Sequence, residues 1–289
     1  MWGCAVGPEV IISYEQIERF PDKVKLIYAE FDKVIRADSD LHRCFKACEG
    51  VIHRKNTLTL PERIDLLQAQ RVLEAIINCY SIITVEERSA FKGLIAQIEA
   101  NSLAPKEPSG FDGLNAVFEL EYIQYLRHRK VKAKLGEPDI VVSTDFGNYH
   151  IACKSINSLK NIKRNLEKAT EQIAERGFGF VALNFEPHLY YDGVFTTDEP
   201  REVMEALDRN ASSLYKPYEG MFDDMLASGN FDGITIQICC LANLIGQETA
   251  LNTMVHNVYY SRPEIQSKAA VERFNYFRSV MRGPNSLLR

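Results

Sequence analysis

Residues 137–185 read EPDIVVSTDFGNYHIACKSINSLKNIKRNLEKATEQIAERGFGFVALNF. Pro138 followed by Ile140, Val141 and Val142 predicts a strand. Asp145-Phe146-Gly147-Asn148 predicts a hairpin turn, and the segment from Asn148 to Ile156 predicts the paired strand. A long amphipathic helix is expected from about Leu159 to Arg176, closed by Gly177. Residues 179–185 read as another buried strand. With a helix expected from Leu114 to Arg127 in front, the order is helix–strand–turn–strand–helix–strand. That order predicts an α/β core with a small mixed sheet.

Working outward, RHRKVKAKLG (127–136) is polar and strongly basic, and 127–134 reads as a solvated loop. Downstream, helices are expected over 199–210, with Asp198 as cap, and over 214–228. A core strand is expected over 234–241, a short final strand at Val258-Tyr259-Tyr260, and a closing helix over 263–282. That last helix carries Phe274, Phe277 and Val280 on one face and has Gly283-Pro284 as its stop. Upstream, NSLAPKEPSGFDG (101–113) has linker composition. The domains are therefore drawn as a helical unit over 1–105 and an α/β unit over 106–289. In the first, 24–35 is expected to be a helix with Leu26, Ile27, Phe31, Val34 and Ile35 on one face. Thr59-Leu60-Pro61-Glu62 and Thr84-Val85-Glu86-Glu87 read as capping boxes that open two more helices. His42 and His53 read as surface or capping residues, and this half carries no recognisable chemistry.

The chain has 289 residues, 46% hydrophobic and 25% charged, which excludes disordered, collagenous and coiled-coil classes. No apolar run approaches the roughly 20 residues of a membrane span. The start, MWGCAVGPEVII, has no basic region ahead of its apolar residues, so a signal peptide is not expected. Seven cysteines without CxxC spacing suit reduced thiols and a cytoplasmic protein. Cys239 and Cys240 are expected to pack in a strand as small hydrophobes. The net charge of −5 is unevenly spread. Residues 119–176 hold eleven Lys and Arg against eight Asp and Glu, and residues 186–232 hold three against eleven. A polyanion site on one face is compatible with that split. The P-loop and Rossmann fingerprints are both absent.

The chemistry concentrates in 119–172. Glu119 lies on the first helix, with Glu121 as the alternative register. Asp139 heads a strand, Lys154 lies on its hairpin partner, and Gln172 lies on the next helix. Strand alternation points His150, Ala152 and Lys154 one way, and Ile151 and Cys153 the other. His150 reads as a strand surface residue, and a Cys153–His150 nucleophile pair is disfavoured because the two diverge. A lysine in an apolar strand needs a partner. Carboxylates that hold Mg²⁺ or Mn²⁺ next to a lysine suit phosphodiester hydrolysis. Lys160, Lys163, Arg164 and Lys168 on the following helix are able to meet phosphates.

This E … PD … xCK … Q order resembles the PD-(D/E)xK nuclease superfamily, over about 119–187. The resemblance implies a restriction-endonuclease-like α/β core with a mixed central sheet, behind the helical domain. It implies Asp139 as metal ligand, Glu119 as supporting acid, the Cys153 backbone carbonyl as a further ligand, and Lys154 orienting the attacking water. It also implies Gln172 and the basic helix residues on the DNA backbone, in restriction, repair or defence against foreign DNA. One position departs from the pattern, because Ala152 stands where the family has its second acid. Three readings stay open: an engineered replacement, an acid migrated to Glu121, Asp145 or Glu171, or a fold that has lost catalysis. In the last case the protein is a non-catalytic binding subunit. A homodimer, or a partner subunit docked through the helical domain or the acidic 186–232 segment, fits either view.

Overall fold

The computed structural model describes residues 12–103, 112–185, 194–245 and 251–282. Most of the expected linker, the first part of the acidic segment and the Gly283-Pro284 stop lie outside them. The chain divides into two compact units, Pro8–Gln124 and one that begins at Tyr125. The boundary drawn from composition was 105–106; the observed division falls inside a helix.

The first unit is helical: α1 (Tyr14–Glu18), α2 (Phe20–Glu30), α3 (Asp40–Cys48), α4 (Val51–Arg54), α5 (Leu60–Tyr80), α6 (Arg88–Ala100) and most of α7 (Asp112–His128). Thr59 and Glu62 cap α5 reciprocally, as the pattern predicts. The second expected box is half formed. Thr84 N–H donates to Glu87 Oε2 at 2.8 Å, but the helix starts only at Arg88. The helix expected over 24–35 runs earlier. Its buried stripe is Phe20, Val24, Ile27 and Tyr28, while Leu26 and Val34 are exposed.

The second unit is mixed α/β. Its strands are β1 (Ala133–Leu135), β2 (Ile140–Thr144), β3 (Gly147–Ser155), β4 (Gly179–Asn184), β5 (Phe195–Thr197), β6 (Ile234–Leu244) and β7 (Leu251–Tyr260). Its helices are α8 (Ile162–Ala174), α9 (Pro200–Tyr215), α10 (Glu219–Ala227) and α11 (Lys268–Arg282). The basic loop expected over 127–134 leads into β1, an edge strand. The expected three-residue final strand is the end of the ten-residue β7. One mixed sheet holds all seven strands. β1, β2 and β3 form an antiparallel meander, and β4 joins β3 in parallel after the α8 crossover. β6 takes β4 along the first part of one edge and β5 along the last part, with antiparallel β7 on the other edge.

The two sheet faces bury different partners. Ala152, Val181, Leu183, Ile236 and Ile238 share one apolar cluster with Ile162, Leu166, Ala169 and Ile173 of α8 and Val203 and Leu207 of α9. On the other face Phe180 meets Phe277 of α11 at 4.3 Å between ring centroids. Each fully buried Val, Leu, Ile or Phe among them is worth about 1.5–3 kcal/mol. Gly177, at φ +124°, closes α8 by donating to the Ile173 carbonyl at 3.0 Å. Gly179 is required for another reason. It lies opposite His150 in the β3–β4 register, and a Cβ there would run into the His150 carbonyl.

Candidate functional site

Asp139 immediately precedes β2, behind a cis Glu137–Pro138 peptide bond. The β2–β3 register pairs Ile140 with Ile151, so Asp139 points to the face that carries His150, Ala152 and Lys154. Its Oδ2 accepts the Cys153 backbone N–H at 2.6 Å and the Lys154 ammonium at 3.2 Å. Both side chains are largely buried, at 12% exposure for Asp139 and 16% for Lys154. Burial pushes the Asp139 carboxyl above the usual aspartate range, against the opposing pull of Lys154 and the Cys153 amide. The lysine expected to need a partner thus has one. Oδ1 of Asp139 has no hydrogen-bond partner among the described residues.

Ala152 lies between these groups and is fully buried in the apolar cluster beneath α8. His150 is not the surface residue the pattern suggested. It is 8% exposed, and its Nδ1 lies 3.0 Å from the Glu137 carbonyl oxygen. A donating Nδ1 there leaves Nε2 as the ring's acceptor. Its burial follows from the elements packed over both faces of β3, which no local pattern announces. Gln172 lies on α8 with a buried Oε1 that meets no donor among the described residues. Arg176, one turn further on, reaches Glu137 at 3.8 Å.

The other candidates lie on other elements. Glu119 is 7% exposed on α7 in the helical unit and accepts from Asn115 Nδ2 at 2.6 Å. Glu121 is bound to Arg71 through both of its oxygens, which accounts for its charge inside the helical unit. Asp145 is exposed in the β2–β3 turn and Glu171 is exposed on α8. Lys160, Lys163, Arg164 and Lys168 are all exposed.

Among the described residues, no group of three His, Cys, Asp or Glu gathers to hold a metal. The second unit offers Asp139 Oδ1 and, on the β2 side of β3, the Cys153 carbonyl, which leaves the strand in the same direction as the N–H that meets Asp139. Two oxygens of this kind suit a hard cation that keeps most of its waters better than they suit a dedicated cage. No described helix is long and apolar enough to cross a membrane. The chain matches no protein-family model, no curated protein and no solved structure.

Proposed function

We propose that the second unit is a nuclease domain that hydrolyses phosphodiester bonds of DNA, with Mg²⁺ or Mn²⁺ as its cation. The observation that carries this reading is the Asp139–Lys154 pair, on adjacent strands and joined through one carboxylate oxygen. The order antiparallel β1–β2–β3, α8 and parallel β4 supports it, because it is compatible with the mixed α/β core that the resemblance implies. In this reading Asp139 Oδ1 and the Cys153 carbonyl would hold the cation, whose chemistry there would be to polarise the phosphate. Lys154 holds the attacking water and offsets charge that develops on the phosphate oxygens. Burial around Ala152, Ile162 and Leu166 excludes bulk water from that side.

A second reading is favoured by one observation. The position of the family's second acid is an alanine packed among apolar side chains, so the site has one carboxylate where two are usual. On that ground the unit is a non-catalytic nucleic-acid-binding module on a nuclease-type core.

A plasmid-cleavage assay with Mg²⁺ and Mn²⁺ separates the two. The chain is run beside Asp139→Asn, Lys154→Ala and Ala152→Glu, each checked for folding by circular dichroism. Cleavage by the parent chain that both Asp139→Asn and Lys154→Ala abolish supports the nuclease reading. Cleavage that survives Lys154→Ala removes the site assignment. No cleavage by the parent chain, with DNA still bound in the absence of divalent metal, supports the binding module.

A further inference from the structure

We propose that His150 is a nitrogen ligand to a divalent cation that it shares with Asp139, so that the site prefers Co²⁺ and Mn²⁺ to Mg²⁺. This rests on the cation of the reading above and adds a ligand where Ala152 supplies none. The β2–β3 register pairs Val141 with His150 and Ile140 with Ile151, so Asp139 stands beside Ala152. On that face the diagonal neighbours of Asp139 along β3 are Lys154 and His150. Lys154 and the Cys153 amide both engage Oδ2. His150 is the neighbour on the other side, and diagonal pairs across two strands are within reach of long side chains.

The imidazole is held in the way that suits a metal ligand. Its Nδ1 lies 3.0 Å from the Glu137 carbonyl oxygen. A carbonyl only accepts, so Nδ1 carries the hydrogen and the neutral ring keeps its lone pair on Nε2. Nε2 has no hydrogen-bond partner among the described residues, and neither has Asp139 Oδ1. Neither atom is sealed from solvent, so a cation can enter. Gln172 adds a third acceptor on this side of the sheet. Its Oε1 is buried without a donor, and Arg176, one turn further along, reaches Glu137, the residue that holds the imidazole. Lys154 is already engaged at Oδ2, so these acceptors are left for a cation to satisfy. Two side chains completed by water make an open site, in keeping with the absence of a three-residue cage among the described residues. At such a mixed nitrogen and oxygen site affinity rises from Mn²⁺ to Co²⁺, whereas Mg²⁺ keeps to oxygen ligands.

The test measures metal binding without chemistry. The tag-free chain is titrated by calorimetry with MgCl₂, MnCl₂ and CoCl₂, beside His150→Asn and Asp139→Asn. Asparagine places an amide N–H where Nδ1 stands, so it keeps the bond to Glu137 and removes Nε2. The parent is expected to bind Co²⁺ most tightly and Mg²⁺ least. His150→Asn should lose at least about tenfold in Co²⁺ affinity, the loss seen even when only a ligand's supporting partner is removed, and little in Mg²⁺ affinity. Asp139→Asn should weaken all three. A second measurement needs no variant: substoichiometric Mn²⁺ should broaden the His150 ring protons in the NMR spectrum of the parent ahead of those of the other histidines. If His150→Asn keeps the parent Co²⁺ affinity, or the His150 ring signals stay sharp as Mn²⁺ saturates the chain, the nitrogen ligand is overturned while the cation reading stands. If the parent binds none of the three metals, both fall.

Discussion

Lys154 Nζ lies 3.2 Å from Asp139 Oδ2, the same oxygen that receives the Cys153 amide at 2.6 Å. One carboxylate oxygen therefore joins the head of β2 to the end of β3 through both backbone and side chain. The pair has a structural role whatever chemistry it supports. Removing one member strands the other in a poorly solvated place. Lys154→Met or Asp139→Asn should each cost about 2–4 kcal/mol, below the full range for breaking a buried pair because both groups keep some solvent contact. The double variant should cost less than the sum of the two. Urea melts of the three variants measure this, and single variants as stable as the parent would show the pair to be idle.

Two aspartates should give opposite pH signatures. Arg262 holds Asp223 below the usual aspartate range through hydrogen bonds at 2.9 and 2.8 Å, with Tyr260 donating as well. A lowered folded value adds stability above the ordinary aspartate pKa of 3.8, and that stability is lost as pH falls through the folded value. Asp139 is raised by burial, so its contribution is fully present below 3.8 and is lost as pH rises through its folded value. Thermal melts between the two regimes should show Arg262→Gln flattening the acid limb. Asp139→Asn should remove the gain on the other side. An unchanged acid limb in Arg262→Gln would contradict the first assignment.

A glutamate at position 152 should be costly. Ala152 is fully buried among Ile162, Leu166 and Val181. Ala152→Glu adds volume to a packed core, at about 1–3 kcal/mol. It also brings a carboxylate that must find a cation or stay protonated. The variant should melt well below the parent in EDTA and recover part of the loss with Mn²⁺. Recovery by Mn²⁺ is the diagnostic outcome, since a purely steric penalty does not respond to metal.

Gly179→Ala tests the β3–β4 contact directly. The added methyl would meet the His150 backbone carbonyl, which belongs to the neighbouring strand and cannot swing aside. The expected loss is about 3 kcal/mol, at the upper end for overpacking. Gly93→Ala makes the control, because a Cβ there meets nothing within 4 Å. Equal effects of the two in chemical denaturation would discount the close approach.

The 137–185 stretch was legible because each of its elements carries its own punctuation: Pro138 before β2, Gly147 in the turn, Gly177 after α8. β1 was not. It is three residues long, and its exposed Lys134 is the kind of residue that protects a sheet edge, so it reads as loop. β7 was seen only at its apolar end. Its period-two stripe runs Met254, His256, Val258 and Tyr260, but the polar His256 interrupts it and the apolar Val255 and Tyr259 occupy the other parity, which masks the alternation. Around α2, Leu26 and Val34 seemed to extend a stripe, whereas Phe20, Val24, Ile27 and Tyr28 make the one that is buried. At the site, the need of Lys154 for a partner was legible, because a lysine in an apolar strand is costly to bury alone. The engagement of Glu121 was not, since its partner Arg71 is 50 residues away and no local pattern joins them. The burial of His150 likewise depends on elements packed over both faces of β3.

β6 has neighbours along both edges, and the hand-over from β4 to β5 occurs on a single strand. Its amides can reach solvent only when the sheet separates on one side or the other. Proton exchange with deuterated water should therefore be slowest in β6, near the rate set by global opening, while β1 at the rim exchanges through local fraying. β6 thus sets the slowest clock of the second unit, and substitutions that quicken β6 exchange will report on the stability of the whole sheet.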